Sequence, residues 1–146
     1  MNDFTVVWVH HAGQLAGRGK GSAFAAVKAD GRVIWWGNLR IPDQSTILPH
    51  LSQGVVNVSA TSDALAAIKE DGHVITWGGP DCGGDSLAVA SLLVEGVVHV
   101  SASSSAFAAI KEDGRVITWG GPDEGGDSSA VADLLAEGVA QLLQIC

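Results

Sequence analysis

Residues 64–97 (ALAAIKEDGHVITWGGPDCGGDSLAVASLLVEGV) and 106–139 (AFAAIKEDGRVITWGGPDEGGDSSAVADLLAEGV) are related by an offset of 42 and agree at 28 of 34 positions. A diverged copy lies upstream, as AFAAVKADGRVIWWG over 23–37, then a shortened loop, then DQSTILPHLSQGVVNVSA over 43–60. Self-similarity at such a period marks stacked units, each of which buries its apolar face only against a neighbour. The chain therefore reads as one repeat domain over 1–146, with units at about 5–53, 54–95 and 96–138 and a terminal strand over 139–146.

Within a unit, GVVNVSA (54–60) or GVVHVSA (96–102) alternates β-branched with small polar residues, which suits a short strand. ALAAIK and HVITW then flank Glu70–Asp71–Gly72, and the next unit repeats this around Glu112–Asp113–Gly114. Asp-Gly between alternating runs predicts a hairpin, with Gly72 and Gly114 supplying the positive φ that the turn requires. A glycine-rich loop follows Trp-Gly-Gly-Pro. Asp85 and Asp127 stand where a helix N-cap belongs, Val89, Leu92 and Leu93 follow at helical spacing, and Gly96 and Gly138 are expected C-caps. Pro49 shortens or kinks the corresponding helix of the first unit. Trp36, Trp77 and Trp119 share one repeat position before a glycine, and are expected in the structural core between units. The fold class predicted is mostly β with short helices: three tandem hairpin or blade-like repeats, as a partial β-propeller or a short repeat stack.

The stretches Val97–Ala102, Ala106–Lys111 and Asp113–Gly120, the last reading D-G-R-V-I-T-W-G, resemble the repeat of the regulator-of-chromosome-condensation propeller family. Equivalents occur in all three units. Where that family's unit ends in a G-Q-L-G fourth strand, this chain has GGD and a helical segment. The family has about seven blades and this chain has three. The resemblance implies a blade-type fold and, as one functional reading, a guanine-nucleotide exchange-type regulator.

Hydrophobic residues make up 47% of the chain and charged residues 16%, which excludes a disordered polymer. No transmembrane run and no signal peptide are visible, so an intracellular or organellar setting is favoured and no direct membrane insertion is expected. The formal charge of −8 is uneven: residues 1–50 carry five basic and three acidic side chains, whereas residues 51–146 carry three and thirteen. An acidic body repels phosphate backbones, so nucleic acid is not an expected partner. Cys82 and Cys146 are too few for a disulfide framework. The loops PDCGGDS (80–86) and PDEGGDS (122–128) space carboxylates with glycines between, but too sparsely for a strong calcium site, so they read as turns and caps. No catalytic residue, cofactor-binding residue or metal ligand set is read. AGQLAGRGKGS lacks the phosphate-loop order and reads as a loop insertion in the first unit.

Closed propellers generally use four to eight blades, so three units leave two ends uncovered. Thr5–His10 reads as a strand at one end and Val139–Ile145 as a strand at the other. Val139, Leu142, Leu143 and Ile145 form an apolar terminal run, and with Arg18 and Lys20 of the inserted loop they are the candidate partner contacts. The expected function is a non-enzymatic protein–protein interaction or scaffold module, as an accessory or assembly subunit docking on another protein or on a second copy. The alternative class is an enzyme or small-ligand binder whose site forms at a homo-oligomer interface.

Overall fold

The computed structural model describes residues 4–10, 22–37 and 47–143. Three antiparallel sheets follow one another along the chain, each of three strands in sequence order. The first holds β1 (Phe4–His10), β2 (Ser22–Lys28) and β3 (Val33–Gly37); the second β4 (Val55–Ala60), β5 (Ala64–Lys69) and β6 (Val74–Gly78); the third β7 (Val97–Ala102), β8 (Ala106–Lys111) and β9 (Val116–Gly120). The fold is mostly β with short helical turns, in tandem blade-like units.

The hairpins form where the Asp-Gly pairs lie. In the second sheet the Lys69 N–H donates to the His73 carbonyl (2.8 Å), which leaves Glu70, Asp71 and Gly72 as a three-residue loop. Gly72 and Gly114 sit at φ +80° and +81°, the left-handed position such a loop needs. The Asp71 carboxylate accepts the His73 N–H at 3.0 Å, and Asp30 and Asp113 do the same for Arg32 and Arg115. These side-chain bonds tie the turn before any tertiary contact is made.

Two cores lie between the sheets rather than within them. One joins Ala25, Val27 and Val33 to Val55, Val58, Leu65, Ala67 and Trp77. The other joins Ala64, Ala66, Ile68 and Val74 to Val97, Val100, Phe107, Ala109 and Trp119. β5 serves both. Its alternate residues point to opposite faces, so Leu65 and Ala67 enter the first core while Ala64, Ala66 and Ile68 enter the second. The alanines, all fully buried, let the sheets approach closely.

GVVNVSA and GVVHVSA form the expected strands, each with a bulge that the alternation did not show. The register slips between Val55 and Asn57, and between Val97 and His99. This bulge sets Val55 and Val58 inside together and turns Val56 outward at 57% exposure, with Val98 alike. The expected short helices are 3-10 segments, Leu48–Leu51, Leu87–Leu92 and Ser129–Leu135. The N-caps of the last two are Ser86 and Ser128, one residue beyond Asp85 and Asp127, and make no side-chain capping bond. The two aspartates accept the Leu87 and Ser129 N–H groups at 3.0 Å, tying the turn that enters each segment. Gly96 and Gly138 are not C-caps either, since Leu93 and Ala136 take that place. The last correction concerns 139–146: residues 139–143 form no strand, and 144–146 lie outside the described residues.

Candidate functional site

Each unit meets the next through one shared backbone contact. The glycine of one hairpin accepts from the backbone at the start of the following unit: Val55 to Gly31 (3.0 Å), Val97 to Gly72 (3.1 Å) and Val139 to Gly114 (3.0 Å). A Cβ on Gly72 would stand 2.5 Å from the Gly96 nitrogen, so no larger residue fits there without movement. Ser59 Oγ donates to the Val100 carbonyl (2.6 Å) and Ser62 Oγ to that of Ser104 (2.8 Å), stitching the second unit to the third. The Lys111 ammonium reaches back to the Leu92 carbonyl at 2.7 Å.

The junction between the second and third units is an insert in a socket. Phe107 and Trp119 are cross-strand partners with stacked rings, centroids 5.3 Å apart. They press on the glycine loop of the preceding unit, where a Cβ on Gly83 would stand 2.5 Å from the Phe107 ring. The Trp119 indole N–H donates to the Gly83 carbonyl at 3.0 Å, so the ring is buried with its polar atom satisfied. The first junction is built differently. There Leu65 and Trp77 form the insert, and Trp35 packs on Trp77 with centroids 5.8 Å apart. The Trp77 indole N–H has no partner among the described residues.

Trp77 and Trp119 are 2% and 4% exposed, but Trp36 is 50% exposed, and its placement in the core is corrected. It stacks on Phe24 (centroids 5.5 Å apart), itself 37% exposed, in the geometry of the Phe107–Trp119 pair. The physical reason is position in the array. The insert faces the preceding unit, and the first unit has no preceding unit among the described residues.

At the other end the socket is open. Gly83 is buried, whereas its counterpart Gly125 is exposed, with nothing among the described residues within 4 Å of a Cβ placed on it. Beside it lies a cavity of about 240 Å³ lined by Ser101, Ala106, Ala108, Gly125, Leu142 and Leu143, among others. Leu143 is 78% exposed, while Leu142 and Val139 are half-buried. Ile145, Arg18 and Lys20 lie outside the described residues, as do residues 12–21 of the AGQLAGRGKGS insertion. The exposed Phe24–Trp36 pair and the open Gly125 socket escaped the sequence reading. The signal was present: Phe recurs opposite Trp at 24 and 107, and the glycine pair recurs at 83–84 and 125–126.

Two further clefts repeat between units, one of about 500 Å³ lined by Asp30, Gln53, Lys69, Glu70 and Asp71. The other, about 450 Å³, is lined by Asp71, Glu95, Lys111, Glu112, Asp113 and Arg115. They arise wherever one hairpin abuts the next, and each lysine is already engaged with backbone carbonyls. Among the described residues no three His, Cys, Asp or Glu side chains converge as a metal set, and no helix is long and apolar enough to cross a membrane. Asp127 is held below the ordinary carboxylate value by the Ser129 hydroxyl and then the Ser129 N–H.

No protein-family model matches the chain, and no curated protein matches it. Among solved structures it is similar to Prp20p from Saccharomyces cerevisiae, a protein described with its binding to Gsp1p and histones. That likeness has 16% identity and a TM-score of 0.49, over 67% of this chain and 28% of that one. The chain is also similar to human WBSCR16, at 19% identity and a TM-score of 0.48 over 79% and 35% of the two chains. A third is the CRINKLY WD40 ectodomain of the Arabidopsis thaliana receptor kinase ACR4, at 18% identity and a TM-score of 0.47 over 67% and 32%. The chain spans about a third of the length of these structures. Its blade-like arrangement is visible in its own three sheets.

Proposed function

We propose that the chain is a non-enzymatic protein-interaction module, acting as a small accessory or assembly subunit that docks through the ends of its repeat array. One observation carries this reading: Trp36 is 50% exposed although its two repeat equivalents are 2% and 4% exposed. A stacked aromatic pair held on a sheet face, with aromatic area open to water, is the kind of anchor that dominates protein interfaces. The opposite end offers the Gly125 cavity, with Leu142 and Leu143 at its rim. Val139, Leu142 and Leu143, with Ile145, are the apolar segment that a partner meets and displaces at that end, and Arg18 and Lys20 are proposed contacts in the inserted loop of the first unit.

The rival is a ligand site in the acidic clefts between hairpins. It is tested by thermal melting against nucleotides, calcium and small metabolites. The docking reading expects no shift. A rise of several degrees that is abolished by Lys69→Ala or Lys111→Ala would transfer the function to ligand binding.

A further inference from the structure

Two kinds of insert and two kinds of socket occur along the chain. The insert is Phe24 with Trp36 in the first unit, Leu65 with Trp77 in the second and Phe107 with Trp119 in the third, at the same register position of each hairpin. The first unit meets its neighbour's insert with Trp35, whereas the second unit meets it with the Gly83 loop and the fully buried Ala64 and Ala66. Inside the chain, then, Leu–Trp goes with Trp35 and Phe–Trp goes with the glycine loop. What is left over is a Phe–Trp insert at one end and a glycine-loop socket at the other. The socket's Ala106, Ala108 and Gly125 are the repeat equivalents of Ala64, Ala66 and Gly83. Charge favours the same orientation. The insert end belongs to the half with five basic and three acidic residues, and the socket end to the half with three and thirteen.

We propose that a second copy of this chain docks head-to-tail, its Phe24–Trp36 pair seated in the cavity at Gly125 and the Trp36 indole N–H donating to the Gly125 carbonyl. The contact continues an interface the chain already uses between its own units. It rests on the docking reading and names the partner. A heterologous contact of this kind closes into a ring when the rotation allows and otherwise extends as an open array. Residues 139–143 occupy the place that β7 takes at the internal junction, so they compete with the incoming β1. With no strand pairing and Leu143 78% exposed, this segment is the one that yields.

The test is sedimentation of the whole chain at micromolar concentration, with two single variants. Trp36→Ala removes the insert, and Ala108→Glu places a charge in the socket. The wild type is expected to sediment as a multiple of 14.9 kDa. Each variant alone should associate on the order of tenfold or more weakly. Mixing the two should restore a heterodimer, because one retains the socket and the other the insert. Deleting residues 140–146 should leave association in place. A monomeric wild type, a Trp36→Ala variant that assembles like wild type, absent rescue on mixing, or loss of pairing on the deletion each overturns the second-copy contact. The docking reading is judged separately, by the ligand melts, which do not depend on self-association.

Discussion

Trp36, Trp77 and Trp119 are the same residue at the same repeat position, yet their energetic roles diverge. Removing a large aromatic from a core costs about 3–5 kcal/mol, whereas a surface truncation changes stability by roughly 0.5 kcal/mol. Urea denaturation at concentrations below assembly should place Trp77→Ala and Trp119→Ala in the first class and Trp36→Ala in the second. Equal losses at all three positions would show that Trp36 is covered in solution. Asp127 gives a second handle. Its carboxylate is held below 3.8 by the Ser129 hydroxyl and N–H, so the bond stabilises the fold above that value. The contribution is lost as pH falls through the lowered value. The melting-temperature gap between wild type and Asp127→Ala should therefore be open at neutral pH and close well below 3.8, while a gap that widens in acid would reverse the assignment.

Glycines at the junctions separate backbone strain from steric exclusion. Gly72 and Gly138 have nearly the same φ, +80° and +75°, but a Cβ on Gly72 would meet the Gly96 nitrogen at 2.5 Å while one on Gly138 meets nothing within 4 Å among the described residues. Gly138→Ala should cost about 1–2 kcal/mol from the left-handed backbone alone. Gly72→Ala should cost clearly more, because backbone must move away from backbone, and equal costs by chemical denaturation would remove the close approach from the account. The 3-10 segments have a related logic. Leu87–Leu92 is too short to repay helix nucleation, and Leu87 is 81% exposed; Leu93 alone is buried, at 2%, and anchors the loop. Helical spacing of Val89, Leu92 and Leu93 was legible, and Val89 and Leu92 do pack, partly buried, beside Leu93, but so few anchors need only a short 3-10 segment.

Stability in a stacked array is the sum of units and their interfaces. β5, buried on both faces, belongs to both cores and should show the slowest amide exchange. Trp119→Ala should speed exchange in β8 and β9 while sparing the pairing of β2 with β3. Uniform acceleration across all three sheets would mean that the array unfolds as one unit rather than junction by junction.

The repeat, the Asp-Gly hairpins and the mostly β class were readable from residues alone, because each depends on local backbone chemistry or on period-two alternation. The bulge after Val55 was not, since alternation cannot show which of two adjacent valines turns outward until a neighbouring sheet chooses. Nor could the pattern separate Trp36 from Trp119. Identical residues in identical local structure differ only by what the next unit places against them, and that is a property of the packed array.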